Sequence, residues 1–241
     1  MAATRRLTIR EVRCSTDPAV GQGHQLISRT FPKAELVSGS EWRNSLRELE
    51  EGLWPDSRWH LVVAEREGAV VGLATGTYLG DVNTGVIGYL AVSRNSRGLG
   101  VGSKLRGRLR NLFRRDAREL RGKPLQAIVG EVHADNPWLR KLVRRDRALA
   151  LDFPYFQLRL HREARPVPLV LYYESCNGAG RRPSTALIRT LLYSIWRRTY
   201  RIAQPRSNAV CRRMLRQLAG RKAIGAIPLD ELPAPAIDDR S

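Results

Sequence analysis

Three unlike signals follow one another across residues 85–113, GVIGYLAVSRNSRGLGVGSKLRGRLRNLF, in an order that phosphate chemistry can use. Residues 86–92 are a short apolar run of strand length without charge. Residues 93–102 form a polar turn with glycines at 98, 100 and 102. After it, Leu105, Leu109, Leu112 and Phe113 recur at the spacing of one helix face. The stretch reads as strand, tight loop, helix. A helix that starts directly after glycines leaves several backbone N–H groups without internal partners, with the positive end of the macrodipole behind them. Such a loop binds phosphate. Glycines remove the β-carbons that would hold a diphosphate away from the backbone and permit positive φ, here expected at Gly98, Gly100 and Gly102. Arg97, Lys104 and Arg106 would add mobile positive charge.

Other phosphate loops are excluded by spacing. A Walker loop requires Gly-Lys-Ser/Thr, and a dinucleotide loop requires G-x-G-x-x-G near the start of a βαβ unit, with an acidic residue about 20 positions on. This chain has R-G-x-G-x-G, preceded by other strands. The pattern resembles the acetyl-CoA loop of the GNAT family of N-acetyltransferases, Q/R-x-x-G-x-G/A, which Arg97, Gly100 and Gly102 meet. Leu90, Ala91 and Val92 are similar to that family's strand just before the loop.

The resemblance implies an α/β (α+β) fold with a mixed, largely antiparallel central sheet of about seven strands flanked by helices. It further implies an acyl-CoA, most simply acetyl-CoA, as donor to an amine acceptor that no motif names. No metal is implied. Leu90, Ala91, Val92, Arg97, Gly98, Leu99, Gly100, Val101, Gly102 and Ser103 would line the cofactor, with the backbone around Val92 on the thioester oxygen. The pantetheine arm would lie between residues 90–92 and 125–132, and Asn136 stands where family members often have an asparagine touching it.

Acyl transfer to an amine requires a deprotonated nucleophile, a stabilised oxyanion and a leaving thiolate. Glu131 is the candidate base, because period 2 puts it on the face of Leu125, Ala127 and Val129, where desolvation raises a carboxyl pKa. The alternative is a strand-end glutamate paired with an arginine. The family's usual tyrosine acid has no counterpart in residues 142–146, so Tyr155 is the candidate, with Tyr89 and Tyr173 as substitutes. Strand aromatics of this kind more often simply pack the core. His133 shares the face of Glu131. His24, His60 and His161 are scattered, and the five tryptophans read as core.

The elements that must position these residues follow in order. Strands are expected at residues 7–13, 59–65, 70–79, 86–92, 125–132, 153–160 and 167–173. Helices are expected after Asp17-Pro18, along Trp42, Leu46, Leu49 and Leu53, after the glycine loop, and after Asn136-Pro137. Residues 1–175 would form the acyltransferase domain, 176–222 a C-terminal helical extension, and 223–241 a loose tail. Residues 175–229 hold 12 Lys/Arg and no Asp or Glu, with two apolar stripes at helical spacing.

Those stripes would cover the domain or a second subunit, giving a homodimer. A second reading makes the chain a catalytically weak member of the fold that uses these helices to bind nucleic acid or an anionic membrane. Lys+Arg 42 against Asp+Glu 23 gives a net charge of +19, which attracts polyanions generally. Cys14, Cys176 and Cys211 have no metal or disulfide spacing, and no run reaches the roughly 18 apolar residues of a membrane span. The expectation is a cytoplasmic protein.

Overall fold

A computed structural model describes residues 7–146, 148–160, 165–178 and 180–234. Among them are eight strands and six α-helices in a mixed α/β arrangement with a largely antiparallel sheet. The chain divides into two compact units, residues 1–80 with 85–125, and residues 81–84 with 126–241.

The first unit contains β1 (Thr8–Val12), α1 (Pro18–Ser28), α2 (Gly39–Glu50), β2 (Ser57–Arg66), β3 (Ala69–Leu79), β4 (Thr84–Val92) and α3 (Val101–Arg121). Its strands lie in the order β1-β2-β3-β4. Helix starts follow their capping chemistry. Asp17 accepts from the Ala19 N–H ahead of Pro18, and Ser38 with Glu41 forms a reciprocal capping box on α2. Glu67 and Gly68 both have positive φ, the two-residue hairpin turn whose twist matches its strands. The α2 stripe ends earlier than expected: Gly52 turns left-handed at φ +65°, and Leu53 lies outside the helix, 55% exposed.

Glycines on β3 and β4 decide how close α3 comes. A β-carbon at Gly76 would sit 2.7 Å from the Phe113 ring, and one at Gly85 2.1 Å from it, while Gly72 faces Leu105 at 3.0 Å. Leu105, Leu109 and Phe113, all fully buried, therefore rest against bare backbone.

Beside this contact lies a closed polar network. The His60 ring, 1% exposed, has Nδ1 2.7 Å from Glu11 Oε1 and Nε2 2.6 Å from Asp116 Oδ2. Arg58 donates to the same Asp116 at 3.0 Å. Burial alone would lower the His60 pKa, but the hydrogen bonds to Asp116 and Glu11 outweigh it, and the net shift is upward from 6.5. Burial likewise opposes the ionised Glu11, yet His60 and then Arg13 hold it down to about 2.

The second unit contains β5 (Ala127–Val132), α4 (Pro137–Arg145), β6 (Leu149–Ala150), β7 (Tyr155–Gln157), β8 (Val167–Ser175), α5 (Thr185–Ser194) and α6 (Ala209–Gln217). β8 pairs antiparallel with β5, β6 and β7. The strand expected at 153–160 is three residues long, because Leu151 bridges to Ala226 and Pro154 has no N–H to donate. β6 is the eighth strand, too short to show a period.

Ile188, Leu191, Leu192, Ile195, Trp196, Cys211, Met214 and Leu218 are all fully buried, so the two apolar stripes are covered within a single chain. Most arginines of this segment face outward and are exposed. Leu232 packs with Leu139 and Leu142 of α4, and Arg140 donates to the Pro233 carbonyl at 3.0 Å, so the described part of the tail is tied down. No helix among the described residues is long and apolar enough to cross a membrane.

Two outcomes are expected. Gly85→Ala forces a methyl into Phe113 and should destabilise the chain by about 1–3 kcal/mol, partly restored by Phe113→Leu, as read from urea unfolding. The raised His60 pKa contributes stability that is complete below pH 6.5 and is lost as pH rises through the folded-state value. The urea midpoint should therefore fall on the alkaline side of pH 6.5. His60→Gln should remove that dependence and cost about 3–5 kcal/mol at pH 6 by taking away the cation held between two buried carboxylates.

Candidate active site

The loop is built on the end of β4. Ser93 N–H donates to Val71 O at 2.8 Å, anchoring the exit from the strand, and Arg97 N–H closes a short turn onto Arg94 O at 3.2 Å. Gly98 and Gly100 then take φ of +76° and +72°. Nothing lies within 4 Å of a β-carbon built at either, so glycine is required there by backbone conformation rather than by space.

Helix α3 begins at Val101 without a side-chain cap. Its first N–H to find a backbone acceptor is that of Lys104, on Gly100 O at 3.1 Å. Among the described residues, the N–H groups of Gly98, Leu99, Gly100, Val101, Gly102 and Ser103 have no backbone acceptor. They form a run of donors at the positive end of a 21-residue helix.

Three details differ from the sequence reading. The Arg97 N–H is already committed, so the donors start at Gly98. Gly102 lies in the first turn of α3, and a β-carbon there would meet only Val92 at 3.6 Å, so it needs no left-handed φ. Arg106 is 6% exposed and belongs to the packed side of the helix, leaving Arg97 and Lys104 as the exposed charges. Around the loop, Ala91 and Val101 are buried, Leu90 and Val92 half-buried, and Leu99 is 57% exposed at the tip.

In the second unit, strand register brings Glu131 and Tyr155 together. Glu131 on β5 is paired with Leu171 and Tyr155 on β7 with Leu169, two positions apart on β8 and hence on one face of it. The Tyr155 hydroxyl donates to Glu131 Oε1. Tyr155 is 2% exposed, and burial followed by the charge of Glu131 holds its pKa well above 10, so the phenol keeps its proton. Gly130 is required beside it, since a β-carbon would come within 2.7 Å of the Tyr172 ring.

A second tyrosine completes this cluster, and sequence reasoning missed it. The Tyr200 hydroxyl donates to Glu131 Oε2 at 2.6 Å. The turn after α5 widens to delivery geometry: residues Ile195–Thr199 form a π-helical turn, closed by Tyr200 N–H on Ile195 O at 3.1 Å. Arg201 follows at φ +54°, and buried Trp196 pins the turn. The only sequence signal was an aromatic residue at the end of an arginine-rich stripe.

Asn136 caps α4, its Oδ1 accepting from Trp138 N–H at 2.9 Å. His133 is half-buried, and its carbonyl accepts from Asn136 N–H at 3.0 Å. His24 contacts Val37 O at 2.9 Å, and Tyr89 donates to Glu35 O, both local fastenings of the α1–α2 region. Tyr173 is buried against β6, and His161 lies outside the described residues.

Comparison with known proteins bears on the fold. The model of the acetyltransferase (GNAT) family matches residues 24–145. A GNAT-family protein of Bacteroides thetaiotaomicron superposes with a TM-score of 0.57 at 13% identity, covering 81% of this chain and 99% of its own. A Salmonella typhimurium structure that contains its cofactor acetyl-CoA superposes with a TM-score of 0.50 at 19% identity, covering 72% of this chain and 95% of its own. No curated protein matches the chain by sequence. With half of its length matched by the family model and its fold shared with such structures, the chain belongs to the GNAT family of acetyltransferases.

Proposed function

We propose that the chain transfers an acetyl group from acetyl-CoA to a primary amine by direct attack of the amine on the thioester. The observation that carries this is the run of donors from Gly98 to Ser103 at the start of α3, flanked by Arg97 and Lys104 with no acidic residue between them. Backbone donors of this kind fit a diphosphate: they are fixed in place, they cost no side-chain entropy, and the helix dipole favours negative charge at that end. The Salmonella protein with acetyl-CoA bound shares the fold and supports the choice of donor.

In this reading Leu90, Ala91 and Val92 present strand backbone to the thioester end, and Gly98 to Ser103 hold the phosphates. When bound, the thioester supplies an activated acyl group whose thiolate, with a thiol pKa of about 8.5, is a tolerable leaving group. Glu131 takes the proton of the incoming ammonium through a water: an N–H bond breaks, an O–H bond forms on the carboxylate, and the freed lone pair attacks the carbonyl carbon; as the C–S bond then breaks, the second proton leaves the nitrogen and the thiolate takes it up as thiol. Tyr155 keeps its own proton and fixes Glu131 Oε1. The acceptor is an amine, and the protein acts in the cytoplasm.

Titration calorimetry tests the donor assignment. Acetyl-CoA should bind with micromolar affinity, and Gly100→Asp, which places a carboxylate and a strained φ in the loop, should weaken binding by roughly 10–100-fold. No heat with millimolar acetyl-CoA would overturn the reading. A panel of amines and peptides, followed by thiol release, identifies the acceptor.

A further inference from the structure

The family match ends at residue 145, yet a residue 55 positions beyond it completes the Glu131 cluster. We infer that Tyr200, carried by the π-helical turn Ile195–Thr199, is a positioning residue that locks the Glu131 carboxylate for its proton-transfer role. This deepens the acyl-transfer reading above and rests on it.

The argument begins with geometry. Tyr155 occupies Oε1 and Tyr200 occupies Oε2, so the carboxylate plane is fixed from both sides. With both phenols donating, each carboxylate oxygen accepts one hydrogen bond and its orientation is set. The two donors differ in setting. Tyr155 is enclosed by its strand neighbours, whereas Tyr200 is half-buried, so Tyr200 is the contact nearer to solvent.

The backbone around Tyr200 is unusual in a way that supports the inference. A π-helical turn and a non-glycine residue at φ +54° flank a single side chain, and both are conformations that proteins keep where a side chain must be aimed. On α6, burial pushes the Cys211 thiol up to about 11, so it stays neutral and adds no charge near Tyr155. Each carboxylate oxygen has two lone pairs. A proton arriving from the ammonium can therefore bond to Glu131 Oε2 while the Tyr200 hydrogen bond is retained, and on release it returns to solvent, so the cycle is balanced.

The test is Tyr200→Phe, which removes one oxygen and keeps the ring. Carbon-13 titration of the Glu131 carboxyl in the whole chain should show its midpoint rising by about one pH unit, because a donor to the charged form has been lost. Thiol release from acetyl-CoA with the best amine of the panel should show its acidic limb moving by the same amount. The maximal rate should fall about tenfold, with KM for acetyl-CoA unchanged. On a Glu131→Gln background, Tyr200→Phe should have no further effect on rate. An unmoved Glu131 titration in a folded Tyr200→Phe chain overturns the positioning role while acyl transfer stands. A wild-type chain that binds no acetyl-CoA overturns acyl transfer, and with it any catalytic purpose for Tyr200, whatever the titration shows.

Discussion

The closeness of α3 to the backbone of β3 and β4 governs the first unit. Gly72, Gly76 and Gly85 leave a channel without β-carbons, and Leu105, Leu109 and Phe113 fill it. Packing of this kind is short-range and steep, so the helix has one seat rather than several. Fixing the helix also fixes the six amide donors at its start, which owe their direction to the helix axis. The loop glycines supply the bend, but the strand glycines set where the bend points.

Two buried acidic clusters show how the same residue type is put to different uses. In the first unit Glu11, His60, Asp116 and Arg58 neutralise one another, and the His60 ring spends both nitrogens on carboxylates. Such a network ties β1, β2 and α3 together. In the second unit Glu131 is held by two phenols, which are neutral. Each of its two oxygens is oriented by a hydroxyl. In the role proposed for it, a carboxylate oriented in this way is set to receive a proton, whereas the first cluster balances its charges internally.

The strand, loop and helix of residues 85–113 were legible because glycine spacing, charge and apolar period are local signals. The caps at Asp17 and Asn136 were legible for the same reason. The α2 stripe misled at Leu53, where spacing fitted a helix but Gly52 had already turned the chain. β6 was invisible, since two residues carry no period. The clusters were harder still. His60 meets partners 49 and 56 positions away, and Tyr200 meets Glu131 across 69. Nothing in a one-dimensional pattern reports such meetings, because they follow from strand register, from the seating of α3 and from the course of a turn.

The second unit is threaded from distant parts of the chain. Asp81 receives the Ser194 hydroxyl, Asp152 N–H reaches Gly225 O at 3.0 Å, and Ile227 N–H reaches Ala150 O at 2.7 Å. Contacts so far apart in sequence form late, because the loop between them must close first. During synthesis the first unit has all of its residues once position 125 has been made, whereas Glu131 waits for residue 200 before its second oxygen is held. A nascent chain arrested before that point would carry a finished glycine loop and a Glu131 carboxylate with one oxygen still unheld.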